Sequence, residues 1–238
     1  SSGRYADLVK KKINEIKKKN KIPILCGGAG LYYRTVQKGI FDGSTSDFEI
    51  RNKLEKQYLK NPDTLLRKLK KVDKNYAEIV HVNNRQRLIR ALEIYECTGE
   101  SPTENFNLQH SNSSKAIQMF TIFLKWERTT LNKRIKNRTL EMFKKGWIKE
   151  VRHLLQLQLE QNIKFPPLDS IGYKHIMRFL DNKISEVEML KIIYIRTRQL
   201  ARRQEKWFKK EPVDLYIMMD SLKHEKIYKI LDCFLKRI

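Results

Sequence analysis

Tyr5, Leu8, Val9, Ile13 and Ile16 recur on one helical face across residues 4–20, with lysines filling the other face. Lys17 to Lys21 sets cations at the end of this predicted helix, where the backbone dipole favours them. The period then stops. Pro23-Ile24-Leu25-Cys26 is wholly apolar and does not alternate, and it runs into Gly27-Gly28-Ala29-Gly30. Such a run predicts a strand buried on both faces, as in a parallel α/β sheet. Leu31 to Gln37 predicts a second helix, capped near Gly39.

From Phe41 the strand signal disappears. Residues 47–60, 62–72 and 84–97 read as three consecutive helices, with Asn61-Pro62-Asp63 a start signal for the second and Thr98-Gly99-Glu100-Ser101-Pro102 a stop for the third. Residues 103–116 are polar and read as a loop, and Ala116 to Leu124 reads as a strand returning to the sheet. Helices are expected over 127–160, 169–181 and 184–209, a last strand over Val213 to Met219, and a closing helix over 221–237. The pattern predicts an α/β core (1–42), a helical insertion (43–112), and a return to the core with C-terminal helices (113–238). No internal repeat is present.

Composition sharpens this picture mainly through charge. The 238 residues carry fifty Lys and Arg against twenty-seven Asp and Glu, a net +23, with 40% hydrophobic and 10% aromatic residues. A folded chain with that field attracts polyanions, nucleic acid foremost, although many of the lysines serve only to solvate the surface. Cys26, Cys97 and Cys233 form no C-x-x-C pair, and the histidines show no metal-ligand spacing, so a structural zinc site is not expected. Unpaired thiols fit a reducing compartment, and the cytoplasm is the expected location. No apolar run approaches the roughly 18 residues of a bilayer span. Ser1-Ser2-Gly3 leads straight into a charged helix with no initiator Met, so the natural protein is expected to begin earlier.

Four stretches offer chemistry. Gly27-Gly28-Ala29-Gly30 lies between a strand and a helix, where glycines either permit a tight left-handed turn or let a ligand approach backbone amides. Neither a G-x-x-x-x-G-K-[ST] loop nor a complete G-x-G-x-x-G occurs. In Asn83 to Glu93, Leu88, Ala91, Leu92 and Tyr95 form an apolar stripe, and Arg87 and Arg90 emerge beside it. They are placed to grip phosphates, or simply to pair with Glu93 or Glu96. In Arg196 to Lys209, four arginines fall within eight positions of one helix that ends in Trp207-Phe208. Cations on two faces suit an anion site on one side and a nucleic-acid surface on the other. Ser170-Ile171-Gly172-Tyr173-Lys174-His175 contributes a glycine suited to close approach.

Taken in order, these stretches resemble the tRNA dimethylallyltransferase (isopentenyl-tRNA transferase) family. Pro23 to Tyr32 is similar to the family's Pro-Ile-Leu-x-Gly-Gly-Thr-Gly-Leu-Tyr, departing at Ala29, and Asn83 to Glu93 to its Asn-Asp-x-x-Arg-x-x-Arg-Ala-Leu-Glu, departing at Asn84. Leu131 to Ile135 with Glu141 to Gly146 and Glu150-Val151 resembles its Leu-x-x-Arg-Ile…Met-x-x-x-Gly…Glu-Val helix pair. Ile171-Gly172-Tyr173-Lys174 and Thr197 to Gln204 followed by Trp207-Phe208 complete the set.

The resemblance implies a P-loop NTPase-like parallel-sheet core, incomplete at the N-terminus, with a helical insertion that holds the tRNA anticodon stem-loop. It implies transfer of a dimethylallyl group from dimethylallyl diphosphate to N6 of adenosine 37 in tRNAs reading UNN codons. The adenine is flipped out of the loop stack and Mg²⁺ assists the leaving group. Residue by residue, Arg198 and Arg203 are expected on the diphosphate side. Gly27, Gly28 and Gly30 are expected by the donor. Arg51, Gln86, Arg87, Arg90, Ser170, Gly172, Tyr173, Lys174, Arg202, Gln204 and Trp207 are expected on the tRNA face. The phosphate loop, the general base and most Mg²⁺ ligands are expected upstream of Ser1, so this stretch by itself is expected to be inactive, and a monomer. Ala29 replaces a threonine whose hydroxyl contacts the adenosine, so transfer is expected to be slowed. Asn84 removes a charge expected to order Arg87, and Leu140 stands in the place of an acid. The alternative from another class is an anticodon-arm binding protein with impaired catalysis.

Overall fold

The computed structural model describes residues 2–38, 47–111 and 117–220, together with positions 228, 229, 232 and 233. The cap expected at Gly39 and nearly all of the helix expected over 221–237 lie outside these residues. The chain divides into two compact units, Ser1–Met119 and Phe120–Ile238.

The first unit opens with α1 (Ser2–Lys17) and α2 (Gly30–Lys38), joined through a stack of Tyr5 on Tyr32 with ring centroids 4.5 Å apart. Between them lies a difference from the sequence pattern. Pro23 to Cys26 is in no ladder, and Ile24 and Leu25 are 79% and 45% exposed. An unbroken apolar run marks a segment suited to burial on both faces, but burial requires neighbours on both edges, and none of the described residues pairs with it.

Five helices follow: α3 (Phe48–Lys60), α4 (Pro62–Val72), α5 (Lys74–Ile79), α6 (Arg85–Thr98) and α7 (Pro102–Ser111). Leu54, Leu65, Leu69, Ala77, Val80, Leu88, Ile89, Ala91 and Leu92 form their common core. The boundaries follow from side-chain chemistry. Asp47 caps α3 by accepting from the amides of Glu49 and Ile50, Asn61 caps α4 ahead of Pro62, and Gly99, at φ 75°, ends α6.

The loop expected over 103–116 is instead helical as far as Ser111. The start of α7 is a capping box, in which the Ser101 amide donates to Glu104 Oε2 at 3.0 Å and the Glu104 amide to Ser101 Oγ at 3.2 Å. Asp73 ties two helices together. Its Oδ1 accepts from the Tyr76 amide at 2.8 Å to cap α5, and its Oδ2 accepts from the Thr103 amide at 2.7 Å at the start of α7.

Burial pushes the Asp73 carboxyl up, but the amide and hydroxyl hydrogen bonds from Tyr76 and Thr103 outweigh it and hold the pKa below the ordinary value. A depressed carboxyl contributes stability that is present above its unfolded value near 4 and lost as pH falls through the folded one. Asp73→Ala is therefore expected to cost about 2 kcal/mol at pH 7. Thermal denaturation should show the gap from the unsubstituted protein closing towards pH 3, and a gap independent of pH would contradict this role.

The second unit holds a two-stranded parallel ladder. β1 (Ile122–Lys125) pairs with β2 (Leu215–Met218), Ile122 opposite Leu215 and Lys125 opposite Met218. Aspartates clasp both ends, with the Thr121 amide donating to Asp214 Oδ2 at 2.6 Å and the Glu127 amide to Asp220 Oδ2 at 2.5 Å. Between the strands run α8 (Arg128–Lys144), α9 (Trp147–Gln161), a 3₁₀ turn (Pro166–Asp169), α10 (Tyr173–Leu180) and α11 (Glu186–Phe208).

The helical stretch expected over 127–160 is a pair of helices. Gly146, at φ 94°, ends one helix and starts the next. The core of α9, α10 and α11 is Trp147, Val151, Ile176, Ile184, Met189 and Ile193. At the far end of α11, Phe208 packs on Phe123 of β1, with ring centroids 5.8 Å apart. A parallel sheet is therefore present, although the described residues are mostly helical.

Candidate functional site

In the first unit, the glycine turn leads into the N-terminus of α2, where the Ala29 carbonyl accepts from the Tyr33 amide at 3.0 Å. None of Gly27, Gly28 and Gly30 has a positive φ, which removes the left-handed turn as the reason for these glycines. A Cβ built on Gly27 would meet nothing within 4 Å, so crowding within the unit does not require it either. The glycine turn lies just before the positive end of a helix, a position that favours anions. Ala29 is exposed beside them and offers no hydroxyl.

On α6, Gln86 and Arg87 are exposed, and Arg90 is half-buried with its Nη1 donating to Glu93 Oε2 at 2.8 Å. Glu93 is fully buried, so Arg90 serves the fold as a charge partner. Arg85 pairs with Glu55 and lies over Tyr58, and Lys68 takes Glu96. That leaves Arg87 without a carboxylate partner among the described residues. Arg51 is half-buried on α3. Asn84 caps α6 by position only, with no side-chain hydrogen bond to the helix.

In the second unit, α11 sorts its arginines by environment. Arg198 is half-buried, its guanidinium 5.3 Å from the Tyr194 ring centroid, whereas Arg202 and Arg203 are exposed. Arg196 donates to Gln199 Oε1 at 3.2 Å. Gln204 and Trp207 are half-buried, and Trp207 meets Phe208 edge-on at 5.0 Å. The exposed Ser170 and Lys174 flank Gly172, which stands at φ 98° against the Trp147 indole. The Tyr173 hydroxyl donates to Glu150 Oε1 at 2.8 Å, and that carboxylate raises the phenol's pKa above its ordinary value.

Sequence reasoning did not single out Trp147, which acts through a tertiary contact with Gly172, or Tyr194, which Arg198 reaches from one helical turn away. Glu93 and His175 enter the sequence reading only as a charge partner for Arg87 or Arg90 and as the end of the Ser170 stretch. His175 lies three residues into α10 from the Gly172 cap, the capping-box spacing, and that was a readable signal. No group of three or more His, Cys, Asp or Glu able to hold a metal occurs among the described residues. No magnesium ligand is assigned among them, and no step is routed through the metal. No helix among them is long and apolar enough to cross a membrane.

This α/β and helical arrangement has counterparts among known proteins. The family model described as IPP transferase matches residues 1–211. A tRNA dimethylallyltransferase of Caldicellulosiruptor saccharolyticus is 33% identical over 226 residues, covering 94% of this chain and 71% of that protein. One from a Sulfurihydrogenibium species is 37% identical over 205 residues, covering 86% of this chain and 65% of that protein. Among solved structures, the full-length tRNA isopentenylpyrophosphate transferase of Bacillus halodurans aligns with a TM-score of 0.63 at 29% identity, covering 99% of this chain and 73% of that one. A eukaryotic dimethylallyltransferase acting on tRNA aligns at 0.77 and 26%, covering all of this chain and 62% of that one. The chain thus spans about two thirds of the length of these relatives, and it belongs to the IPP transferase family.

Proposed function

We propose that the chain carries the RNA-binding and diphosphate-facing parts of an enzyme that transfers a dimethylallyl group from its diphosphate to N6 of adenosine 37 in tRNAs reading UNN codons. The observation that carries this reading is the sorting of cations on α11. A half-buried Arg198 lying over the Tyr194 ring suits a fixed clamp for the charge that develops on departing diphosphate. The exposed Arg202 and Arg203 suit an RNA backbone, and Arg203 is also within the helix segment expected to face the donor.

Arg51, Gln86 and Arg87 supply the RNA contacts of the first unit, and Arg90 supports them through Glu93. Ser170, Gly172, Tyr173, Lys174, Gln204 and Trp207 supply those of the second, with Trp207 offering a stacking face for an unpaired base. The backbone amides around Gly27, Gly28 and Gly30 attract the anionic end of the donor. Ala29 leaves the adenosine one hydrogen bond short, which lowers the rate without removing the clamp. The reading is supported by the family match together with this placement of charge.

Deleting the gene for this chain, in cells with no second source of the modification, is expected to remove N6-dimethylallyladenosine from tRNAs reading UNN codons. Mass spectrometry of digested tRNA checks this, and undiminished modification would refute the assignment.

A further inference from the structure

His175 is buried at the start of α10, and its Nδ1 accepts the Gly172 N–H at 3.2 Å. Gly172 is the N-cap and His175 the third residue of the helix, so the imidazole fills the reciprocal position of a capping box, where Glu or Gln is usual. The Gly172 carbonyl in turn accepts from the amides of His175 and Ile176, each at 2.9 Å. A carboxylate or amide oxygen in that position accepts throughout the neutral range. An imidazole accepts only while Nδ1 is bare.

Once protonated, both ring nitrogens are donors. The Gly172 N–H then loses its acceptor, and a positive charge sits in the first turn of a helix, where the dipole opposes it. The turn cannot shift freely to compensate, because a Cβ on Gly172 would already stand 2.1 Å from the Trp147 ring. The charges around the imidazole reinforce the contrast. Lys174 and Arg178 from α10 and Arg196 from α11 bear on it, whereas Glu150 of α9 is engaged by Tyr173 and Asp169 of the 3₁₀ turn is exposed. Burial first, then these cations, hold the imidazole below its ordinary pKa, so it is neutral at pH 7.

We propose that neutral His175 is a positioning residue that fixes the Gly172–Lys174 turn in its RNA-engaging form, and that proton uptake by the imidazole releases the turn and weakens RNA binding. This rests on the RNA-binding reading of Gly172, Tyr173 and Lys174 given above. The device belongs to this chain's own choice of imidazole at the third helical position and needs no group beyond those described.

The test compares the unsubstituted chain with His175→Gln and His175→Phe, measuring affinity for an anticodon stem-loop RNA by fluorescence anisotropy at pH 7.5 and at an acid pH where the His175 ring is observed by NMR to be protonated and the chain still folded. Gln keeps an acceptor for the Gly172 N–H at both pH values, and Phe has none at either. The unsubstituted chain is expected to lose on the order of fivefold more affinity than His175→Gln on acidification, the equivalent of one hydrogen bond. His175→Gln should match it at pH 7.5, and His175→Phe should be weakened by a similar factor at both.

Equal pH ratios for the unsubstituted chain and His175→Gln, or His175→Phe binding as tightly as the unsubstituted chain, would overturn the proposal. If no form binds the RNA at pH 7.5, the functional reading fails separately. The Gly172 amide resonance then decides the clamp by itself. Movement with imidazole titration, absent in His175→Gln, upholds it, and a static resonance overturns it.

Discussion

Gly172→Ala is expected to destabilise the second unit by about 3–5 kcal/mol and to lower its melting temperature by about 10 °C or more. Two costs combine at this position. The backbone holds φ 98°, which a side chain rarely adopts, and the new methyl would be placed 2.1 Å from both Cη2 and Cζ2 of Trp147. The indole cannot yield cheaply, because it is buried in the unit's core, 5.3 Å from the Phe143 ring and 5.7 Å from Tyr173. Gly146 supplies the control. Its φ of 94° is equally demanding, but its added Cβ would meet only the flexible end of Lys149 at 4.0 Å. Gly146→Ala should therefore cost about 1–2 kcal/mol, strain without collision. Thermal melts of the two variants, followed by near-ultraviolet circular dichroism, compare them directly. Equal losses would show that the contact with Trp147 carries no weight.

In the enzyme that carries this chain, Arg198→Ala is expected to lower the rate of prenyl transfer by a factor on the order of 10²–10³, the size associated with removing one fixed charge-stabilising group. RNA affinity should change by less than about threefold, because the exposed cations of the RNA face are untouched. Stability should change little, since the guanidinium is half-buried and its described contact is the Tyr194 ring. Arg198→Lys keeps the charge above the ring but loses the planar fork that engages two phosphate oxygens together. It should therefore recover only part of the rate. Single-turnover transfer to a saturating tRNA, measured beside equilibrium binding, separates the two effects. A variant that bound tRNA poorly but transferred at the normal rate once saturated would place Arg198 on the RNA side instead.

The legible parts of the fold were those with local chemical punctuation. Asp47, Asn61 with Pro62, and Gly99 set helix boundaries within a residue or two of where they fall, because caps act through neighbouring backbone groups. The helix α5 was not legible, because six residues span too little of a turn pattern to show a period. α7 was missed for a different reason. Its sequence is polar, and its one clear signal, Ser101 three residues before Glu104, is a capping box without an apolar stripe behind it.

Pro23 to Cys26 shows the limit of burial patterns: they state what a segment would accept, and pairing depends on which neighbours are present. At the site, the pairing of an arginine with Glu93 was readable, because Arg90 stands three residues before it on one helix face and Arg87 six. That Glu93 is fully buried was not readable, because it depends on how α6 packs.

α11 has 23 residues in one uninterrupted helix, about 35 Å of rod. Met189 and Ile193 pin one end in the core of α9 and α10, and Phe208 pins the other against β1. The arginines between these moorings ride on the same shaft, with no hinge to let one adjust apart from its neighbours. A small repacking at either mooring would therefore displace all of them together. Distant substitutions at Ile193 or Phe123 should in this way disturb recognition and turnover in step.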